Sequence, residues 1–492
     1  MYVINLQTVG YGLLAIFAVF VARPSCPGPN AHEIIVTGIT CPVGHIPGPW
    51  HTRFSHLVLK LHTLTGRRMH YVHSLHHRYG PVVRISPLDI AVADPEGFAA
   101  IHKIGAGFLK GPWYATTAVG VDPGIFSMVD PKQHAARRRL FARAFTGASL
   151  RRNWEPVVRE KVERAVERIR TDALGGTADV LKWWTLMTTD VIAQLSFGES
   201  FDMLELGEKN EYIRALESIF VMGSIRAELP LLYRVARLLP VKSIRNVLDA
   251  QRIVDRYGVR AAANLRRNGH SASLFGNMLA ESEAGEKSDL TEDKVQAEAG
   301  NFIVAGSDTT SITLTYLVWA VLKRPDLQAR LEAELAGVDD GFDDAALEEL
   351  PLLNAVIDET LRLYGAAPGN LPRGATLGGF VVPGGVVVET QAYTLHRHPS
   401  VYPNPQNFDE TRFLDQDPLS KQKTRVFTPF GAGTRVCLGV HLARMELRLA
   451  AAVFFRKCRG ARLADSMTDD MMEMQNFFLI SPAGHRCDVT LE

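Results

Sequence analysis

The sequence predicts a mainly α-helical fold with a minor β region. One large domain (residues 51–492) follows an N-terminal transmembrane helix (1–22) and a Pro/Gly-rich linker (23–50). Three observations carry this expectation. An apolar helical pattern runs unbroken from Thr291 to Lys323. From Pro131 to about Gly269 the pattern is again helical, with Arg- and Glu-rich faces. Strand signals are confined to Val82–Ala93, Gly379–Tyr393 and the C-terminal end from Phe477. With 46% of 492 residues hydrophobic and 22% charged, the chain can bury a large core.

Met1 to Ala22 carries no charged side chain, Val9 to Ala22 is almost wholly apolar, and Arg23-Pro24 ends the run. About 20 such residues span a bilayer. A cleaved signal peptide would place basic residues before the apolar run. Here Arg23 follows it, so the positive-inside bias leaves the remaining chain in the cytosol. The linker holds Pro24, Pro27, Pro29, Pro42, Pro47 and Pro49 and cannot form a long regular element. The apolar run Ile34–Ile39 inside it is too short to span.

Val82–Ala93 reads as two short strands broken at Ser86-Pro87. The long central helix takes Thr291 as N-cap and Glu292 and Asp293 in its first turn. It stops before Arg324-Pro325, giving roughly 32 residues or about 48 Å. Asp308, amid Ser and Thr, argues that Phe302–Leu322 crosses a protein core and not a bilayer. Further helices are expected from near Pro351 and from Leu438 to about Lys457. Gly379–Tyr393 reads as one hairpin turning at Pro383-Gly384-Gly385, and Phe477–Ile480 with Cys487–Leu491 as a terminal hairpin.

Lys and Arg (54) balance Asp and Glu (53), so no global field favours nucleic acid. The five cysteines, Cys26, Cys41, Cys437, Cys458 and Cys487, are scattered without C-x-x-C spacing. That excludes a disulfide framework and suits a reduced, cytosol-facing domain.

The sharpest chemical signal is Phe430-Gly431-Ala432-Gly433-Thr434-Arg435-Val436-Cys437-Leu438-Gly439. A glycine-rich loop leads into a helix, so Cys437 lies where free N–H groups favour a thiolate, and the glycines let backbone approach the sulfur. Arg435 adds a cation. A dinucleotide loop would need a third glycine where Val436 stands. In the long helix, Phe302, Ala305, Gly306, Thr309 and Thr313 share one face. The Thr309 hydroxyl can bond back to the Ala305 carbonyl and loosen the helix there. Asp308 can then feed protons through the loosened turn. Glu359 and Arg362, at i and i+3, can pair. His134 and Arg138 share a helix face, while Arg137 and Arg139 read as a solvated charged face or as a docking surface for an acidic partner.

The decapeptide matches the cysteine-loop signature Phe-x-x-Gly-x-Arg-x-Cys-x-Gly, and the chain from about residue 47 to 492 resembles the cytochrome P-450 family, in particular its fungal microsomal, secondary-metabolism branch. Ala305-Gly306-Ser307-Asp308-Thr309-Thr310 resembles the family's oxygen-activation motif, with Thr309 and Asp308 as the catalytic pair and Ala305 and Gly306 leaving room for a flat macrocycle. Glu359 and Arg362 resemble its Glu-x-x-Arg. Arg412 completes a structural triad, although Glu-Thr-Arg-Phe stands where Pro-Glu-Arg-Phe is usual.

The resemblance implies haem b with Cys437 as axial thiolate and metal ligand. Arg435, Phe430 and Gly431 would hold the group on the cysteine side, and His134, Arg138, Arg373 and Arg435 would pair its two carboxylates. It places the substrate pocket at Phe108–Phe126, Phe302, Ala305, Ala367–Leu371 and Phe477-Phe478. It further implies a monooxygenase acting on a lipophilic small molecule, with an NADPH-dependent diflavin reductase as electron donor. The expected location is the endoplasmic reticulum membrane, single-pass, with the catalytic domain cytosolic. The alternatives are a haem-thiolate isomerase or dehydratase that needs no reductase, and a non-enzymatic haem-binding protein.

Overall fold

The computed structural model describes residues 31–111, 113–116, 124–215, 253, 256, 292–367, 369–370, 376–377, 379–414 and 426–491. The expected anchor (1–22), the start of the linker and Arg373 lie outside the described residues. The helices used below are α1 (Ala31–Ile39), α2 (Arg68–Tyr79), α3 (Pro131–Ala142), α4 (Gly147–Leu174), α5 (Val180–Phe197), α6 (Glu292–Leu322), α7 (Pro351–Tyr364), α8 (Ala392–Leu395) and α9 (Val440–Lys457).

Sequence explains where they begin and end. Asp130 accepts from the Gln133 N–H at 2.7 Å, and Pro131 occupies the first helical turn of α3. Asp179 caps α5, which ends at Gly198 in the left-handed region (φ +75°). The carboxylate of Glu334 accepts from the N–H groups of Leu352 and Leu353 (2.9 and 2.8 Å), capping α7 from a neighbouring helix. The central helix matches its expected span to within a residue at each end. It packs against α5, α7 and α9, while α4 packs against α5 and α9. Trp184, Tyr316 and Phe454 are fully buried at these crossings, and each large apolar side chain removed from water contributes about 1.5–3 kcal/mol. Among the described residues no helix is long and apolar enough to cross a membrane.

The β region is small and mostly local. Strands β1 (Val82–Arg84) and β2 (Asp89–Val92) pair antiparallel, as the Ser-Pro break suggested. The other strands are β3 (Ala178–Asp179), β4 (Gly369–Asn370), β5 (Thr376–Leu377), β6 (Phe380–Val381), β7 (Val387–Gln391), β8 (Arg462–Leu463), β9 (Met474–Asn476), β10 (Ile480–Pro482) and β11 (Asp488–Thr490).

Both expected long-range hairpins are corrected. β6 pairs with β5, while β7 runs parallel to β2 and antiparallel to β4. The Pro383-Gly384-Gly385 turn therefore carries the chain from one sheet to another. At the C-terminus β9 pairs with β10, and β11 joins β3 and β8. Period-2 patterning sets which face of a strand is buried but not its partner. The run Ile34–Ile39 belongs to helix α1, where Gly38 fits because a side chain there would strike the Phe54 ring at 2.0 Å.

Candidate active site

The cysteine loop is built by its backbone. Gly431 (φ +75°) and Gly433 (φ +64°) adopt the left-handed conformation, and a side chain on Gly433 would meet the His102 carbonyl at 2.4 Å. The Cys437 N–H donates to the Phe430 carbonyl at 2.8 Å, closing the loop. The helix begins at Val440, two residues later than expected, so Cys437 stands just outside it. The Gly439 N–H reaches the sulfur and Arg138 adds a favourable charge, while burial pushes the thiol up. The side chain is nonetheless accessible. Cys458 and Cys487 are buried, with the Cys458 thiol pushed up to about 12 by burial. The four described cysteines are free.

Cations converge beside this loop. Arg138 Nη1 donates to the Val436 carbonyl at 2.7 Å. Arg435 donates to the carbonyls of Met128 (2.9 Å) and Val129 (3.2 Å). His134 is buried, and its imidazole is pushed down to about 4 by burial and by Arg435, Arg138 and Lys110. Lys110, which the sequence reading did not single out, lies over the rings of Tyr114 (3.8 Å) and Phe126 (4.1 Å) and donates to the Phe126 carbonyl. Burial, then Arg435, lowers it to about 7. Asp130 offsets Arg435 in part but is engaged as the α3 cap. Such a cluster calls for an anion.

The reading of Arg137 as a solvated or docking residue is corrected. Arg137 is buried and pairs with the equally buried Glu298 of α6 at 2.7 Å. Glu298 also accepts from the Ile125 N–H at 2.8 and 3.0 Å. Charge in a helical run cannot reveal this, because the partner lies 161 residues away.

On α6 the Thr309 hydroxyl donates to the Ala305 carbonyl at 2.6 Å, as expected. Ala305 is exposed. Gly306 serves another purpose than room for a macrocycle: a side chain there would meet Ile192 of α5 at 2.8 Å, so the glycine permits the α5–α6 crossing. Phe302 is buried edge-on against Phe141 and Phe145, centroids 4.8 and 5.5 Å away, and forms core where pocket lining was expected. Asp308 is half-buried, and its carbonyl accepts from the Ser311 hydroxyl at 3.2 Å. Glu446 of α9, also missed in the sequence, is buried and bonded to Thr310 of α6; burial pushes its carboxyl up to about 8. Of the expected pocket, Phe126 and Phe478 meet edge-on at 5.7 Å and Trp113 stacks on Phe478 at 6.2 Å.

The triad assembles as expected. Arg362 grips Glu359 with two bonds of 2.7 Å, and Arg412 Nε lies 3.4 Å from the same carboxylate. Arg362 further donates to the carbonyls of His396, Pro405 and Asn407 (2.8, 2.8 and 3.0 Å), tying α7 to the segment that precedes the cysteine loop.

An accessible cysteine in a glycine-built loop, a half-buried cation cluster beside it and the Thr309–Ala305 back-bond on α6 together define a haem-thiolate protein. Residues 46–487 match the family model for cytochrome P-450, and the chain belongs to that family. It is 42% identical to cytochrome P-450 monooxygenase stcB of Emericella nidulans, covering 95% of this chain and 92% of that protein. It is also 42% identical to cytochrome P-450 monooxygenase aflV of Aspergillus parasiticus, covering 93% of each. Methylphloroacetophenone oxidase of Cladonia uncialis is 33% identical over 74% of this chain and 84% of its own. A cytochrome P-450DA haem-domain crystal structure superposes with a TM-score of 0.73 at 18% identity, covering 91% of this chain and 96% of that one, which shows the shared fold. The residues fit the family's haem. Cys437 offers an accessible thiolate, Arg138, Arg435 and Lys110 supply the charge that two carboxylates need, and the neutral His134 can add a hydrogen bond.

Proposed function

We propose that this chain is a haem-thiolate monooxygenase that inserts one oxygen atom from O2 into a lipophilic small molecule in fungal secondary-metabolite biosynthesis. The observation that carries the reading is the pairing of an accessible Cys437 in its glycine loop with the Thr309–Ala305 bond on α6. When bound, the haem supplies one-electron and oxygen chemistry, with the thiolate favouring O–O cleavage. The protein's own work is different. The backbone of the cysteine loop holds Sγ in place, and the cation cluster orients the group through its carboxylates. Thr309, whose hydroxyl bonds back to the Ala305 carbonyl, positions water and protons, and Asp308 feeds them. The rings of Trp113, Tyr114, Phe126 and Phe478 offer flat apolar faces to a lipophilic substrate.

Electrons must come from outside, because the sequence carries no nicotinamide or flavin fingerprint. The proposed donor is an NADPH-dependent diflavin reductase on the endoplasmic reticulum membrane. The uncharged run 1–22 followed by Arg23 supports a single-pass anchor with a cytosolic catalytic domain. Exposed Ile35, Val36 and Ile39 of α1, with Trp50 nearby in sequence at 77% exposure, support contact with that bilayer. Removing residues 1–22 should shift the protein from the membrane pellet to the soluble fraction; an unchanged distribution contradicts the anchor.

The test is turnover with reductase, NADPH and 18O2. One labelled oxygen per product is expected. Unlabelled product formed without NADPH would instead establish the isomerase or dehydratase reading. Thr309→Ala should retain haem but consume NADPH with peroxide released, and product formation should fall by about 10²–10⁴-fold. Full coupling in that variant contradicts the proton role.

A further inference from the structure

Away from the cation cluster, α2 carries His73 and His77 four residues apart, so their rings lie on one face, one turn apart. The two Nε2 atoms are 3.1 Å from each other, and the ring planes cross at 85°. Two imidazole nitrogens that bind one ion do so at about 2.0–2.1 Å. At the observed separation of 3.1 Å they would subtend roughly 95–100° at that ion. This lies between the square-planar or octahedral angle and the tetrahedral one, so neither side chain has to move far.

The surroundings prepare the inner ring. His73 Nδ1 lies 3.2 Å from the Thr394 hydroxyl of α8. Gln391 donates to that same hydroxyl at 2.8 Å and to the Met69 carbonyl at 3.1 Å, which fixes its amide. A hydroxyl has two lone pairs, so Thr394 can also accept the His73 Nδ1 proton. That tautomer leaves Nε2 as a bare lone pair, the arrangement that orients metal-ligating histidines elsewhere. His77 is exposed, giving an ion access from solvent.

We propose that His73 and His77 form a two-imidazole site for a borderline transition-metal ion of the Cu2+, Ni2+ or Zn2+ class, with water completing the coordination. Among the described residues no group of three or more His, Cys, Asp or Glu side chains is gathered to hold a metal, so the site is open and exchangeable. Imidazole suits these ions, whereas Ca2+ and Mg2+ require oxygen ligands. A bound ion would staple two successive turns of α2. That helix is already tied to β7 by the Arg68–Glu389 ion pair, so the staple would reinforce the attachment of α2 to the main sheet.

The experiment titrates haem-loaded, tag-free full-length protein with Ni2+ by equilibrium dialysis, beside His77→Ala and His77→Gln. His77 is exposed, so these variants leave the core intact. The expected result is one equivalent of Ni2+ lost in both variants and a Ni2+-induced rise of the melting temperature in the parent that they lack. The Soret band should stay unchanged throughout, which separates this site from Cys437. Equal Ni2+ stoichiometry and affinity in parent and variants would overturn the proposal and reduce the pair to a hydrogen bond between two rings. A lost equivalent accompanied by a Soret shift would overturn it too, by assigning the ion to the haem site.

Discussion

The two sides of the proposed haem site are built in opposite ways. The thiolate side is one contiguous loop, shaped by backbone: two left-handed glycines, a close approach to the His102 carbonyl and a single N–H from Gly439. The carboxylate side is assembled from side chains of separate segments: Lys110 in a loop, His134 and Arg138 on α3, and Arg435 in the cysteine loop. A backbone-built site depends on a few residues that cannot be exchanged. A side-chain-built site spreads its charge and should degrade in steps. The Glu359–Arg362–Arg412 scaffold anchors the segment that leads into the cysteine loop.

Three changes probe this contrast, in order of effect. Glu359→Gln removes a fully buried charge from between two guanidinium groups. Breaking such a pair by removing one partner costs about 3–5 kcal/mol, so both sides should fail together, with little haem-loaded protein and a clear drop in denaturant midpoint. Normal loading would show that the scaffold is dispensable.

Lys110→Met removes one of three cationic contributors while keeping an apolar stem against Tyr114 and Phe126. One hydrogen bond to a charged group contributes about 1.5–3 kcal/mol. Transfer of haem to an apoprotein acceptor should therefore speed up by about tenfold, with the thiolate spectrum unchanged. A rate equal to the parent's would remove Lys110 from the cluster.

The smallest effect concerns Glu446. Its folded-state carboxyl titrates near 8 because it is buried, against an ordinary value near 4.5. Between these values the folded protein holds a proton that the unfolded chain has released, so stability falls as pH rises through this window. Glu446→Gln should flatten that decline between about pH 5 and 8. An unaltered slope would show that the carboxyl ionises normally.

The contrast also explains what the sequence disclosed. The cysteine loop, the Thr309–Ala305 bond and the Glu359–Arg362 pair are local, at separations of ten residues or fewer in the chain, and short-range rules suffice for them. The span of α6 was legible for the same reason, from its apolar run and the Arg324-Pro325 stop. Arg137–Glu298 and Glu446 on Thr310 are tertiary pairings without a sequence period, and Lys110 meets Tyr114 and Phe126 from a loop, where no helical or strand period applies. The strand partners of β7 and β11 were misread because alternation specifies a face but no neighbour. Gly306 was assigned to the wrong cavity: a missing side chain shows that space is needed but not on which side, and Ile192 takes that space.

The central claim is that Cys437, held by its glycine loop, is the thiolate ligand. The most direct measurement is the reduced carbon-monoxide difference spectrum of Cys437→Ala beside Cys41→Ala, Cys458→Ala and Cys487→Ala. The account predicts that the red-shifted Soret band of thiolate ligation disappears in Cys437→Ala and persists in the other three. A Cys437→Ala protein that retains that band would contradict it.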